Sequence, residues 1–136
     1  MDKNIDWKEV ENLKGFFSFF TSDFLRKKPC RVRPEKVIEW IKENQKAVIV
    51  DIRTSEETSL VGFTYEGSLK IPMNQLFERE NIETLKDYEN RGYKIVVACR
   101  SGVRSLVATA FLQRVGFRNV YSLEGGIIAF AEAVKC

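Results

Sequence analysis

The chain has 136 residues, 44% of them hydrophobic, and its 22 basic and 19 acidic residues leave a net charge of +3. That length suits one compact domain with its own core, and the mixed placement of charge excludes a polybasic face for nucleic acid or an anionic membrane. Histidine is absent, which excludes a Cys-His pair, a Ser-His-Asp triad and every histidine-ligated metal site.

The chain opens with Met1 to Val10, charged and acidic rather than basic and apolar, and the cluster Gly15 to Phe20 is too short for a signal core or a membrane span. A cytoplasmic protein is expected. From Asp6 to Arg26 the residues Val10, Leu13, Phe16, Phe17, Phe20 and Phe24 are spaced as on one side of one or two helices. Such a segment either covers otherwise exposed core or offers a homodimer or partner face. The cysteines, Cys30, Cys99 and Cys136, are odd in number and widely spaced, which suits neither a disulfide framework nor a zinc site. Reduced thiols are expected, with Cys30 as a small core residue, Cys136 at a frayed end, and a resolving disulfide from either to Cys99 as the alternative.

Short β-rich runs then alternate with helical patterns. They are Arg31 to Arg33, Ala47 to Val50, Ser68 to Ile71, Ile95 to Ala98 and Asn119 to Leu123. This alternation predicts an α/β fold around a buried, largely parallel sheet. Pro34 opens a helix with Val37, Ile38, Trp40 and Ile41 on one face, and a helix from Gly125 to Val134 closes the chain. Asp51, at the end of a predicted strand, either orients a ligand loop, through its backbone or through Arg104, or pairs with Arg53 or caps the next turn. Arg53 is expected to pair with Glu57. Glu124 precedes Gly125 and Gly126, where a turn role suffices.

The chemistry concentrates in Cys99-Arg100-Ser101-Gly102-Val103-Arg104-Ser105, which joins the apolar run Lys94 to Ala98 to the amphipathic run Leu106 to Val115. A cysteine on a strand-to-helix turn meets loop N–H groups and the positive end of a helix, the environment that lowers a thiol pKa and receives an anion. Gly102 lets the loop turn where a Cβ is unfavourable, Ser101 and Ser105 bring hydroxyls, and Arg100 and Arg104 are placed to bind an anion and stabilise the thiolate. Arginines at a helix start oppose the macrodipole unless an anion is expected. Taken alone, the string also fits an ordinary buried cysteine followed by a capped, charged turn.

Four stretches together resemble the single-domain rhodanese family: Val50-Asp51-Ile52-Arg53 with Glu56-Glu57, Gly67 to Pro72, Val96 to Ser105, and Gly116 to Ile127. The likeness runs in order from about Arg31 to Val134, so residues 1–29 are set apart as an N-terminal helical extension and 30–136 as the rhodanese-like domain. The resemblance implies a central five-stranded parallel sheet flanked by helices, with Cys99 as the nucleophile of a sulfurtransferase or persulfide carrier. Its partners are then a small anionic sulfur donor and a thiol or cyanide acceptor, or a protein persulfide, with no cofactor and no metal.

Related phosphatases on this fold carry, by the same resemblance, five residues between cysteine and arginine. Here four separate Cys99 from Arg104, a ring better matched to a sulfur atom than to a phosphate. Phosphatase or arsenate reductase activity and a non-catalytic docking module are the alternatives. Ser101 stands where thiosulfate-specialised members carry lysine, which implies a poor reaction with thiosulfate. Gly62 to Glu66 replaces a histidine-containing turn, and Phe130 stands where tryptophan is common.

Overall fold

The computed structural model describes residues 4–18, 21, 29–60, 62–63 and 65–135. Five strands form one sheet: β1 (Arg31–Val32), β2 (Ala47–Asp51), β3 (Ser68–Lys70), β4 (Lys94–Ala98) and β5 (Val120–Leu123), in the spatial order β1-β5-β4-β2-β3 with every neighbour parallel. The fold class is therefore the α/β one read from the alternating runs. All five residues of β2 are buried, because helices cover both faces and the β-branched run has no wet side to serve.

Side-chain alternation divides the core. Val48, Val50, Ile95 and Val97 point to the side holding Leu85, Ala108 and Leu112, whereas Ala47, Ile49, Val96 and Ala98 point to the side holding Val37 and Trp40. A one-residue slip of β2 would exchange these sets.

Around the sheet lie α1 (Trp7–Phe17), α2 (Pro34–Lys42), α3 (Ser55–Leu60), α4 (Arg79–Asn90), α5 (Val103–Arg114) and α6 (Gly126–Lys135). Pro34 starts α2 where its missing N–H costs nothing, and the helix ends before Asn44, whose φ of 56° is a left-handed conformation that asparagine tolerates. The helix α4 adds to the elements expected from the sequence. It follows Glu78 in extended conformation, buries Leu85, and stops short of Gly92 at φ 89°.

The N-terminal segment departs from the expectation that it covers core. Asp6 caps α1 by accepting the Glu9 N–H at 3.1 Å, yet no residue of α1 is buried, and Trp7 and Phe17 are 63% and 61% exposed. Its contact with the domain includes Phe16, whose ring centroid lies 5.8 Å from that of Phe111. Phe20 and Phe24 lie outside the described residues. Among the described residues, no helix is long and apolar enough to cross a membrane.

Parallel pairing places the carboxyl ends of β2 and β4 side by side, with Asp51 in register with Ala98 and the Ile52 N–H donating to the Ala98 carbonyl at 2.9 Å. The loops carrying Arg53 and Cys99 thus leave the sheet at one edge, where ligand sites of α/β folds gather.

Candidate active site

Immediately after β4, the chain turns so that loop N–H groups face the Cys99 sulfur. The Gly102 N–H donates to Sγ at 3.1 Å and the Ser105 N–H at 3.4 Å, while Sγ and the Ser105 hydroxyl are 3.6 Å apart. Gly102 makes this possible at φ 101°, a left-handed conformation at the N-cap of α5. A Cβ there would also lie 3.1 Å from the Gly125 nitrogen.

Cys99 is 1% exposed and its thiol is part of the core packing. Burial pushes its pKa up, but hydrogen bonds from the Ser105 hydroxyl and from the N–H groups of Ser105, Gly102 and Ser101 more than offset this, leaving the thiol below its ordinary value. The sulfur is enclosed by donors, not sealed among hydrocarbon alone.

Behind it, Ser105 Oγ lies 2.8 Å from Ser122 Oγ and 3.2 Å from the Gly102 carbonyl, and both serines are buried. Ser122 belongs to β5 and escaped the reading of the sequence, where it stands in an apolar run with nothing local to mark it.

Arg104, expected to bind an anion and stabilise the thiolate, has a carboxylate as its hydrogen-bonded partner. Arg104 turns to Glu57 of α3, with Nη1 to Oε1 at 2.8 Å and Nη2 to Oε2 at 2.9 Å. Glu57 is held in turn by the Thr54 N–H at 3.0 Å and the Thr54 hydroxyl at 3.1 Å, while its own N–H donates back to Thr54 Oγ1 at 3.3 Å. This reciprocal arrangement is a capping box, whose signal Thr54-Ser55-Glu56-Glu57 is visible in the sequence. The Arg104 guanidinium, followed by the Thr54 N–H, lowers the Glu57 pKa to about 2. Arg104 is correspondingly held charged by Glu57, with a smaller contribution from Cys99. The expected Arg53–Glu57 pair is therefore replaced by one between elements 47 residues apart.

Arg53 instead pairs with Asp51: Nη2 to Oδ2 is 2.8 Å, Nε to Oδ1 is 3.0 Å, and the Arg53 N–H reaches Oδ1 at 3.1 Å. Both residues are buried, so the pair orders the start of the β2-α3 turn. Of the two expected roles for Asp51, pairing with Arg53 is the one its hydrogen bonds serve.

The turn after β5 closes the other side. Gly125 and Gly126 have φ of 72° and 63°, and a Cβ on Gly126 would collide with the carbonyls of Cys99 and Arg100. That close approach lets the Ile127 N–H donate to the Cys99 carbonyl at 2.9 Å and the Ile128 N–H to the Arg100 carbonyl at 3.3 Å. A cleft of about 520 Å³ lies beside the loop, lined by Arg53, Glu57, Arg100, Ile127, Ile128, Ala131 and Glu132.

Thus the structure gathers Cys99, Ser101, Gly102 and Ser105 by their donors, sets Arg104 on the flank, leaves Arg100 exposed at the cleft, and turns Val103, 70% exposed, to solvent. Cys30 is exposed rather than a core residue, because β1 is an edge strand; the Gln113 side-chain amide donates to its sulfur at 3.1 Å. Cys136 lies outside the described residues. Among the described residues, no three Cys, Asp or Glu side chains cluster as a metal site.

The profile of the rhodanese-like domain family matches residues 33–133. The chain is 36% identical over 95 residues to a tRNA uridine(34) hydroxylase of Buchnera aphidicola, covering 68% of this chain and 29% of that protein. It is 38% identical over 93 residues to the same-named protein of Brucella ovis, covering 67% and 29%. The chain thus spans under a third of the length of these relatives. A rhodanese-related protein of Thermoplasma volcanium has a TM-score of 0.61 at 28% identity, over 76% of this chain and 91% of that one.

Proposed function

Since the chain belongs to the rhodanese-like domain family, we propose that it is a sulfurtransferase or persulfide carrier that moves sulfane sulfur through a persulfide on Cys99. The observation that carries this reading is the ring of donors on one buried sulfur: two N–H groups within 3.4 Å and a hydroxyl at 3.6 Å, which together lower the thiol pKa against the effect of burial.

The thiolate attacks the outer sulfur of a donor, the bond behind that sulfur breaks, and the remainder departs with the electron pair. Cys99 then carries an S–S⁻ group whose charge meets the same N–H groups, and a thiolate or cyanide acceptor removes the outer sulfur in a second displacement. Sulfur moves between anions without expelling an amine or alkoxide, so no acid is needed and the absence of histidine is no obstacle.

Incubation with thiosulfate, polysulfide and a low-molecular-weight persulfide, followed by mass spectrometry, tests the reading. Wild type is expected to gain one sulfur atom removable by cyanide, and Cys99→Ser none. An unmodified wild type with every donor sinks it.

A second reading has its own support in the likeness to tRNA uridine(34) hydroxylases: the domain is part of a tRNA-modifying protein. Salt-dependent retention of tRNA by this chain supports that reading, and its absence favours a small-molecule or protein partner.

A further inference from the structure

We propose that the cleft beside the Cys99 loop selects an organic persulfide bearing a short hydrocarbon chain over the compact thiosulfate dianion, an inference that rests on the sulfur-transfer reading above.

The charges around the cleft are balanced. Arg53, Arg100, Glu57 and Glu132 line it; behind this lining, Asp51 is bonded to Arg53 and Arg104 to Glu57. Among the described residues, three guanidiniums and three carboxylates thus stand in or directly behind the lining, and their formal charges sum to zero. A dianion approaching a thiolate gains no net attraction from such a set, while at equal distance it feels twice the repulsion that a monoanion feels.

The remaining wall is aliphatic. Ile127, Ile128 and Ala131 all come from α6, with Ile128 and Ala131 three residues apart and so neighbours on that helix. Ile128 is 51% exposed, an apolar side chain presented to the opening instead of the core. The helix that carries this wall is fastened to the reactive loop, because Ile127 and Ile128 donate their N–H groups to the carbonyls of Cys99 and Arg100. At about 520 Å³ the cleft matches sites that hold organic ligands, roughly 300–1,000 Å³.

In the step itself, the Cys99 thiolate attacks the terminal sulfur of R–S–S⁻. The inner S–S bond breaks, R–S⁻ leaves with the electron pair, and Cys99 carries the new S–S⁻ group. Two negative charges stand on each side, one S–S bond is exchanged for another without net oxidation, and R–S⁻ takes a proton from solvent. The group R lies along Ile128 and Ala131.

The test measures initial rates of sulfur loading on the full chain by mass spectrometry, with thiosulfate, methyl persulfide and n-butyl persulfide at equal concentration. Each methylene between methyl and butyl is expected to raise the rate about two- to fourfold, so that butyl persulfide exceeds methyl persulfide by about eight- to sixtyfold and exceeds thiosulfate as well. Ile128→Lys, at a half-exposed position that leaves the core intact, is expected to speed thiosulfate loading and slow butyl persulfide loading. Equal wild-type rates for butyl persulfide and thiosulfate, or a ratio unmoved by Ile128→Lys, overturns the selectivity and leaves sulfur transfer standing. No loading of folded wild type by any of the three overturns both.

Discussion

Ser105 has one hydroxyl hydrogen and three neighbours within reach: the Cys99 sulfur at 3.6 Å, the Gly102 carbonyl at 3.2 Å and the Ser122 hydroxyl at 2.8 Å. With a neutral thiol, the S–H donates to Ser105 and Ser105 donates to Gly102. With a thiolate, Ser105 turns its hydrogen to sulfur and Ser122 donates to Ser105 in compensation. Ser122→Ala is therefore expected to slow alkylation of Cys99 at neutral pH about two- to tenfold and to shift its pH profile upward, with Ser122→Thr restoring both. A wild-type profile for Ser122→Ala rejects the coupling. At this scale the loop was legible, since a cysteine between a β-rich run and a helical one announces its own donors. Ser122 was not, because the contact that gives it meaning comes from a residue 17 positions away. The pairing of arginines was misread for a related reason: Glu57 stands four residues after Arg53, but its carboxylate meets the fork of Arg104 on another helix.

Between elements, the contact of α3 with α5 depends on that same carboxylate. The Glu57 pKa falls from 4.5 to about 2 in the folded chain, so the fold binds its proton less tightly than the unfolded chain does. The contribution of the pair is complete above about pH 4.5 and disappears as pH falls through 2. Denaturant midpoints of wild type and Glu57→Gln are accordingly expected to differ at pH 6 and to converge near pH 2, with a small difference at the upper end because both partners are about one-third exposed. Parallel midpoints at every pH count against the assignment. Where β5 meets α6, Gly126→Ala places a methyl group against the Cys99 and Arg100 carbonyls; a loss of about 2 kcal/mol or more is expected in chemical denaturation, together with slower Cys99 alkylation. The glycine pair read from the sequence as a turn thus has a second duty, close approach, which only the folded neighbours reveal. The helix α4 was harder to see because its apolar residues, Ile82, Leu85 and Tyr88, are few among charges.

Over the whole molecule, stability resides in the sheet and its two covering layers. Leu112, fully buried on the inner face of α5, is expected to cost about 2–5 kcal/mol when changed to alanine, whereas Trp7→Ala on the exposed face of α1 is expected to stay within ~0.5 kcal/mol. Urea denaturation distinguishes the two, and a large loss at Trp7 means that α1 contributes to the core after all. The strands in chain order and their parallel arrangement were readable because β-branched runs buried on both faces point to a parallel sheet. The phenylalanine-rich start was less so: periodicity identifies an apolar stripe but not whether the domain has an open surface to receive it.

Synthesis by the ribosome sets these contacts in time. β1 has β5 as its partner, and the carbonyls of Cys99 and Arg100 are met by Ile127 and Ile128. A nascent chain halted before residue 120 consequently has neither the partner of its edge strand β1 nor the lock on its reactive loop. The lock on the reactive loop thus closes only once translation has passed α6.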